Sequence, residues 1–254
     1  MLFRSWTYNA RLALRDVDMK YRIVRLSERV DLAPDFKVFR TSEHIKAEPG
    51  QFVFAWIPGV GEKPFSVMDD EPLTLGVLGR GEFTNKFNSL NRGDSFYVRG
   101  PYGKPLKIPR GREIVLVGGG CGIVALHMLA KRFGRTNQIT SVLGARDSAY
   151  IPYLDEFRKY GAVHTATENG SLGRKGLVTE VLMGEMTVNE GTYFINCGPK
   201  SMVEAVLPIE MKVSEREKIY SSLDYMTRCG VGLCGSCSDE QGRRTCVEGP
   251  FLNK

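Results

Sequence analysis

EIVLVGGGCGIVALHMLAKRF, Glu113 to Phe133, decides the reading of this chain. Glu113–Val117 is an apolar run of strand length, and Ile123–Phe133 has the spacing of an amphipathic helix. Between them lies Gly118-Gly119-Gly120-Cys121-Gly122. A glycine turn between a strand and a helix can bring a phosphate against unpaired N–H groups at the positive end of the helix dipole. The run is not a full G-x-G-x-x-G: Gly120 and Gly122 fit the first two places and Ala125 stands in the last. Alone it suits a tight turn as well as a dinucleotide site. Its position at the first strand of an alternating region favours the nucleotide.

Downstream, strand and helix patterns alternate: a strand at Ile139–Gly144, a helix around Tyr153–Tyr160, a strand at His164–Thr167, a helix near Val178–Met183 and a strand at Tyr193–Asn196. That alternation predicts a parallel sheet covered by helices over 110–222. Upstream, over 20–109, the chain reads differently. Short β-type runs at Tyr21–Leu26, Phe36–Thr41, Gln51–Trp56, Leu73–Leu78 and Ser95–Val98 are separated by Glu48-Pro49-Gly50, Pro58-Gly59, Arg92-Gly93-Asp94 and Gly100-Pro101-Tyr102-Gly103, with one short helix at Thr84–Leu90. Frequent Gly and Pro turns between short strands predict an antiparallel β-barrel. The expected class is β + α/β: an antiparallel barrel, then a parallel-sheet domain, then a cysteine-bearing segment over 223–254.

That last segment contains MTRCGVGLCGSCSDEQGRRTC, with Cys229, Cys234, Cys237 and Cys246 spaced C-x4-C-x2-C and then eight residues to the last cysteine. The first part is the plant-type spacing of a [2Fe–2S] cluster. Gly230, Gly232 and Gly235 interleave the cysteines and let the backbone turn its N–H groups toward sulfur. Structural zinc normally pairs two C-x2-C knuckles, and only one is present. A disulfide framework suits small secreted domains, not a chain of 254 residues with no secretion signal. The last spacer is far shorter than a plant ferredoxin's, so the segment reads as an appended cluster loop.

Composition bounds the rest. Apolar content of 42% is that of a chain with a buried core. The net charge of +6 comes from scattered Lys and Arg, which points to a solvated surface or anionic cofactors and away from nucleic acid. No apolar run approaches membrane-spanning length. Only Cys121 and Cys197 lie outside the cysteine run, an economy that fits a reducing cytoplasm. Residues 1–19 read as an N-terminal extension: an extra strand, an arm, or a stretch before a start at Met19. Arg4, Arg11 and Arg15 with no acid before Asp16 also give it some likeness to a transit peptide. His44, His127 and His164 form no acid–base constellation. Cys121 reads as a small filler.

The ordered set Pro49-Gly50-Gln51-Phe52, Lys63-Pro64-Phe65-Ser66, Gly81-Glu82-Phe83-Thr84, Gly100-Pro101-Tyr102-Gly103, Gly118–Gly122 and Cys197-Gly198-Pro199 resembles the ferredoxin-NADP reductase superfamily. With the cysteine loop added, residues 20–252 resemble the electron-transfer subunits of class B, NAD-dependent dihydroorotate dehydrogenases. The resemblance implies an oxidoreductase subunit of pyrimidine biosynthesis carrying FAD and a [2Fe–2S] cluster on Cys229, Cys234, Cys237 and Cys246, with NAD(H) as substrate. It implies that Pro64, Phe65 and Ser66 lie along the flavin with Ser66 near N5, that Gly81, Phe83 and Thr84 hold the FAD pyrophosphate, and that Gly118, Gly119, Gly120 and Gly122 face the NAD pyrophosphate. Cys197, with Gly198 and Pro199 after it, is implied to lie near the nicotinamide; an ordinary buried cysteine is the other reading. Gly144-Ala145-Arg146-Asp147 could steer NAD's ribose or be a solvated loop.

Lys63 stands where the superfamily has Arg. A point charge lacks the planar fork that grips a phosphate twice, leaving either a looser hold or a share for Arg80. The implied partner is an FMN-containing catalytic subunit in a heterotetramer, met at a surface around Met226, Val231, Leu233 and Phe251. Related flavin and iron–sulfur reductases serving sulfur reduction, transhydrogenation or a hydrogenase share nearly all these motifs. A zinc-stabilised binding module is the alternative outside enzymes.

Overall fold

The computed structural model describes residues 19–184, 186, 188–222 and 226–253. The expected N-terminal extension, Met19 aside, lies outside the described residues. β1 (Arg22–Ala33), β2 (Phe36–Thr41), β3 (Phe52–Ile57), β4 (Gly61–Ser66), β5 (Asp69–Asp70), β6 (Leu73–Leu78) and β7 (Ser95–Tyr102) form one antiparallel sheet in the order β4-β3-β7-β1-β2-β6-β5. The two ends of that order are one stretch of chain. β4 pairs with β3, and three residues on β5 pairs with β6. At the crossing Val67 N–H donates to Gln51 O (3.3 Å) and Met68 N–H to Thr74 O (3.0 Å). The sheet therefore closes into a barrel with its edges paired.

The two-residue period of β3 sorts its side chains. Val53, Ala55 and Ile57 enter the barrel core with Val24, Phe39, Leu75 and Phe96, while Phe52, Phe54 and Trp56 point outward. The short helix α1 (Glu82–Asn88) begins two residues before its expected start and plugs the barrel with Phe83 and Phe87. The Thr84 hydroxyl accepts the N–H groups of Arg80 (2.9 Å) and Gly81 (3.1 Å), which satisfies donors that the first turn leaves open.

The second sheet has the order β11-β10-β9-β8-β12-β13-β14, from β8 (Glu113–Gly119), β9 (Gln138–Ala145), β10 (Gly161–Thr167), β11 (Arg174–Lys175), β12 (Tyr193–Cys197), β13 (Ile219–Ser222) and β14 (Leu252–Asn253). α2 (Gly122–Phe133), α3 (Leu154–Arg158), α4 (Val178–Gly184) and α5 (Lys200–Glu210) connect and cover it. β8 is a continuous apolar run because both its faces are buried. All its pairings are parallel except β13 with β14. The expectation of a purely parallel sheet is thus corrected: the C-terminal segment returns to add an antiparallel edge, with Phe251 in the sheet's core. α5 and β13 have no counterpart in the sequence reading; Pro208 inside α5 obscures its helical pattern.

α2 is buried on both sides, not amphipathic as its sequence suggested. Ile123, Leu126, Ala130 and Phe133 face the second sheet. Val124 and Met128 face the barrel, and His127 Nδ1 donates to Met68 O (3.0 Å). Beyond them Lys131 pairs with Asp69 (2.7 Å) and Arg132 with Asp70 (2.6 Å). Burial lowers the His127 pKa, which favours the neutral ring that donates to Met68 O.

Under α5, Asn196 Nδ2 donates to Glu210 Oε2 (2.8 Å), and both residues are buried. Burial pushes the Glu210 carboxyl up to about 7. Its folded pKa then lies above the unfolded value of 4.5. The unfolded chain sheds this proton first as pH rises, so the group costs stability progressively between those two values. Glu210→Gln should therefore gain on the wild type by roughly 1–3 kcal/mol between pH 5 and pH 7.5 in denaturant unfolding. Parallel pH profiles for the two proteins would show that Glu210 is not held neutral.

Candidate functional site

A cleft of about 510 Å³ opens at the carboxyl ends of β8, β9, β10 and β12. This is where open parallel sheets bind ligands. Gly119, Gly120 and Cys121 form one wall, Pro199, Ser201 and Met202 another, and Asp35, Phe36, Leu78 and Arg80 close it from the barrel side. Gly122 has a steric cause: a Cβ there would lie 2.1 Å from Cys197 O. The close approach of α2 to β12 brings Gly118–Gly122 against Cys197-Gly198-Pro199, although these motifs lie far apart in sequence. Gly120 has φ 53° and open space before it. Cys197 ends β12, half-buried, and does not line the cleft. Cys121 does line it and is exposed.

Gly144, Ala145 and Arg146 also line the cleft. At its rim the Arg146 guanidinium lies 3.8 Å over the Tyr150 ring and bonds its hydroxyl, which in turn bonds the Asp35 carboxylate. This clasp ties the β1–β2 turn to the second sheet. It escaped the sequence reading because Asp35 and Tyr150 are 115 residues apart and neither sits in a motif.

On the barrel, Ser66 pairs with Phe52, Pro64 with Phe54 and Glu62 with Trp56, so Ser66, Pro64 and Glu62 share the outward face. Lys63 and Phe65 alternate to the other face, where Phe65 lies 6.2 Å from Phe83 and 5.5 Å from Phe87. That contact sets Lys63–Ser66 beside Gly81–Thr84. Ser66, Lys63 and Gly81 are exposed, and nothing lies within 4 Å in front of Gly81.

The cysteine segment covers this outward face. Val231, Cys237 and Cys246 pack on Phe52, Phe54 and Tyr102. α6 (Thr245–Glu248) carries Cys246 and sets its sulfur 3.4 Å from that of Cys237. Backbone N–H groups point at sulfur: Val231 (3.4 Å) and Leu233 (3.3 Å) at Cys229, and Gly232 (3.2 Å) at Cys246. Hydrogen bonds from Ser236 draw the exposed Cys234 thiol down to about 6, whereas burial and then Cys237 push the Cys246 thiol up to about 12. A cation in the loop is what would hold the second thiol ionised. Among the described residues no three His, Cys, Asp or Glu side chains are gathered as a site for a single metal ion.

The expected partner surface needs correction. Val231 (9% exposed) and Phe251 (6%) are buried, the first on the barrel aromatics and the second in the second sheet's core. Met226 (64%) and Leu233 (52%) are exposed, together with Val247, which the sequence reading did not include. Arg99 was also missed. It is buried on β7, bonds the Glu62 carboxylate (2.9 and 2.6 Å) and donates to Cys229 O (2.9 Å).

No protein-family profile matches the chain. Among curated proteins it is 41% identical over 219 residues to the probable electron transfer subunit of dihydroorotate dehydrogenase B (NAD⁺) of Thermococcus kodakarensis, covering 86% of this chain and 90% of that protein. It is 33% identical over 232 residues to the subunit of the same name from Methanocaldococcus jannaschii, covering 91% and 88%. Among solved structures, an NADH-dependent reduced ferredoxin-NADP oxidoreductase chain superposes with TM-score 0.81 at 28% identity, covering 91% of this chain and 88% of that one. A ferredoxin NADP⁺ reductase from Neisseria gonorrhoeae, with bound FAD and NADP, shares the fold at TM-score 0.63 and 16% identity, covering 84% and 96%. With identity at this level over nearly the whole length of each relative, and a barrel and sheet of the reductase fold, the chain belongs to the family of electron transfer subunits of NAD-dependent dihydroorotate dehydrogenase B, oxidoreductase subunits that work with a catalytic partner.

Proposed function

We propose that this subunit relays electrons between a partner FMN-containing catalytic subunit and NAD⁺ through a [2Fe–2S] cluster and FAD, so that dihydroorotate oxidation ends in NADH. The observation that carries this reading is the shared outward face of the barrel: Ser66 lies on the same surface that the four-cysteine segment covers. FAD, when bound, would link two-electron hydride transfer to one-electron steps, and the cluster would supply the one-electron connection to the partner subunit.

Each candidate residue then has a task. Pro64, Phe65 and Ser66 flank the flavin, with the Ser66 hydroxyl as a hydrogen-bonding group near N5. Gly81, Phe83 and Thr84 serve the FAD pyrophosphate. The Thr84 hydroxyl is already engaged with Arg80 and Gly81, so that contact falls to main-chain N–H groups of the first turn, with Lys63 and Arg80 as nearby cations. Gly119, Gly120 and Pro199 receive NAD(H) in the cleft, Gly118, Gly122 and Gly198 let its walls pack closely behind them, and Cys197, at the end of β12 behind the cleft lining, is assigned to the nicotinamide side. The four cysteines suit a cluster by donor set: two neighbouring buried sulfurs, and backbone N–H groups already aimed at sulfur. The tasks divide over a barrel domain (20–109), a nucleotide domain (110–222) and a cysteine segment (223–254). Free thiols fit a reducing compartment, the cytoplasm. The assembly is a heterotetramer with the catalytic subunit.

Three measurements test this. After anaerobic purification, iron and acid-labile sulfide should each approach about two per chain. Cys234→Ser should lose both and keep most of the flavin; one zinc per chain without sulfide would sink the cluster. Cofactor released by denaturation should be FAD, with FMN alone refuting the site. Ser66→Ala should slow flavin reduction about five- to tenfold with little loss of FAD, because one hydrogen bond goes while the phosphate contacts stay.

The third concerns the partner. Met226, Leu233 and Val247 are exposed apolar residues beside the proposed cluster, a costly surface to leave wet. Leu233→Asp should lower dihydroorotate-to-NAD⁺ turnover of the assembled complex at least about tenfold by burying an unpaired charge, while the isolated chain still reduces dyes with NADH. Dihydroorotate turnover by the isolated chain, or equal loss of both activities, would refute the interface.

A further inference from the structure

Arg99 is a buried cation that bonds both a carboxylate on β4 and the main chain where the cysteine segment begins. Its Nε and Nη2 meet the Glu62 carboxylate, and Nη1 donates to Cys229 O, with Nη2 also 3.4 Å from Arg228 O. The guanidinium plane lies 3.9 Å over the Phe54 ring and 5.3 Å from the Tyr102 centroid. The Tyr21 hydroxyl donates to the same Glu62 oxygen, Oε2 (2.6 Å), that accepts from Arg99 Nε. A buried guanidinium is costly unless its donors are met, and here a fork grips a carboxylate while the remaining arm grips main chain.

The geometry has a direction. Glu62 and Ser66 lie on the same face of β4, two alternations apart. Cys229 is the first cysteine of the loop. Arg99 therefore spans from the strand that bears Ser66 to the backbone of the residue that opens the cysteine run. Beside it Val231, Cys237 and Cys246 pack on Phe52, Phe54 and Tyr102 in an apolar cluster. Apolar packing is non-directional, and the cysteine segment is rich in glycine, so such contacts hold the loop down without fixing where along the strand it sits. Glu62 neutralises the Arg99 charge, so the residue acts by position more than by its field.

We propose that Arg99 is a positioning residue that fixes Cys229, and with it the cysteine loop, in register with the Ser66 strand, and that Glu62 orients it. Its bearing on electron transfer rests on the cluster reading above; the anchoring itself does not. A lysine in its place keeps the charge but loses the fork and cannot serve carboxylate and carbonyl together.

The test is amide hydrogen exchange of the full-length chain as isolated, in the wild type, Arg99→Lys and Glu62→Gln, with iron and sulfide measured on the same samples. In Arg99→Lys, residues 226–237 should exchange roughly tenfold to a hundredfold faster, since bonds to a charged group have been lost from the closed state. Glu62→Gln should show a smaller acceleration over the same span. α2, residues 122–133, should remain as slow as in the wild type, which reports an intact fold. Where iron and sulfide are present, the electron paramagnetic resonance spectrum of the reduced centre should broaden or shift in Arg99→Lys while the flavin absorption keeps its shape. Unchanged exchange over 226–237, or equal acceleration there and in α2, overturns the proposal. A wild type without iron and sulfide removes the cluster reading and leaves the exchange comparison to decide the anchor. If Arg99→Lys does not fold, the selective acceleration in Glu62→Gln decides it in the same way.

Discussion

Burial of α2 from two sides is the constraint on which the rest of the molecule depends. One helix serves two cores: its 123/126/130/133 stripe belongs to the second sheet, and its 124/128 stripe, with His127, to the barrel. A helix apolar all round has to be enclosed, and a single sheet cannot enclose it. Gly76 of β6 makes room for it; a Cβ there would lie 2.5 Å from Val124. The N-terminal end of the same helix forms a wall of the cleft, so the packing that joins the two units also sets the width of that cleft.

At the other end of α2, adjacent residues make adjacent ion pairs, Lys131 with Asp69 and Arg132 with Asp70. Asp70 is buried, so Arg132 is a requirement for it more than a bonus. A buried pair contributes little over an apolar substitute, but losing one partner leaves an uncompensated charge inside the protein. Such pairs specify which face of the helix meets which edge of the barrel, a role that non-directional apolar contact does not fill. The Asp35–Tyr150–Arg146 clasp makes a second, separate polar tie between the units at the rim of the cleft.

What the sequence made legible follows from how far each signal reaches. β2 and β6 fall on their expected residues, because alternation and turn residues are local. The glycine run and the strand-to-helix order around it are local too. Local patterning says which face of a segment is apolar but not how many partners it has, so α2 looked one-sided. It also gives no account of side chains whose partners are distant. Arg99 falls just past the expected strand Ser95–Val98 as one of many scattered cations, and only the fold brings it to Cys229, 130 residues away. Val231 and Phe251 look like surface for the same reason. Their covers are the aromatics of β3 and β7 and the core of the second sheet, which no spacing rule connects to the C-terminus.

The course of the last residues makes the cysteine run more than an appendage. It leaves the second sheet after β13 and rejoins it at β14, antiparallel to β13, yet between those strands it lies on the barrel. On the way back Pro250 and Phe251 pass Gly103 and Gly50 of the barrel, where a Cβ would approach them to 2.9 and 3.1 Å. Both ends of the excursion are thus held by one unit and its middle by the other. A loop tethered in this way has far less freedom than a free tail of the same length, since closing it costs its entropy once, at folding. The barrel face with Ser66 and the second sheet, whose strand ends form the cleft, are then positioned by one covalent path as well as by α2. For a protein whose task is relay, the relative placement of its sites is the property to be fixed, and here it is fixed twice.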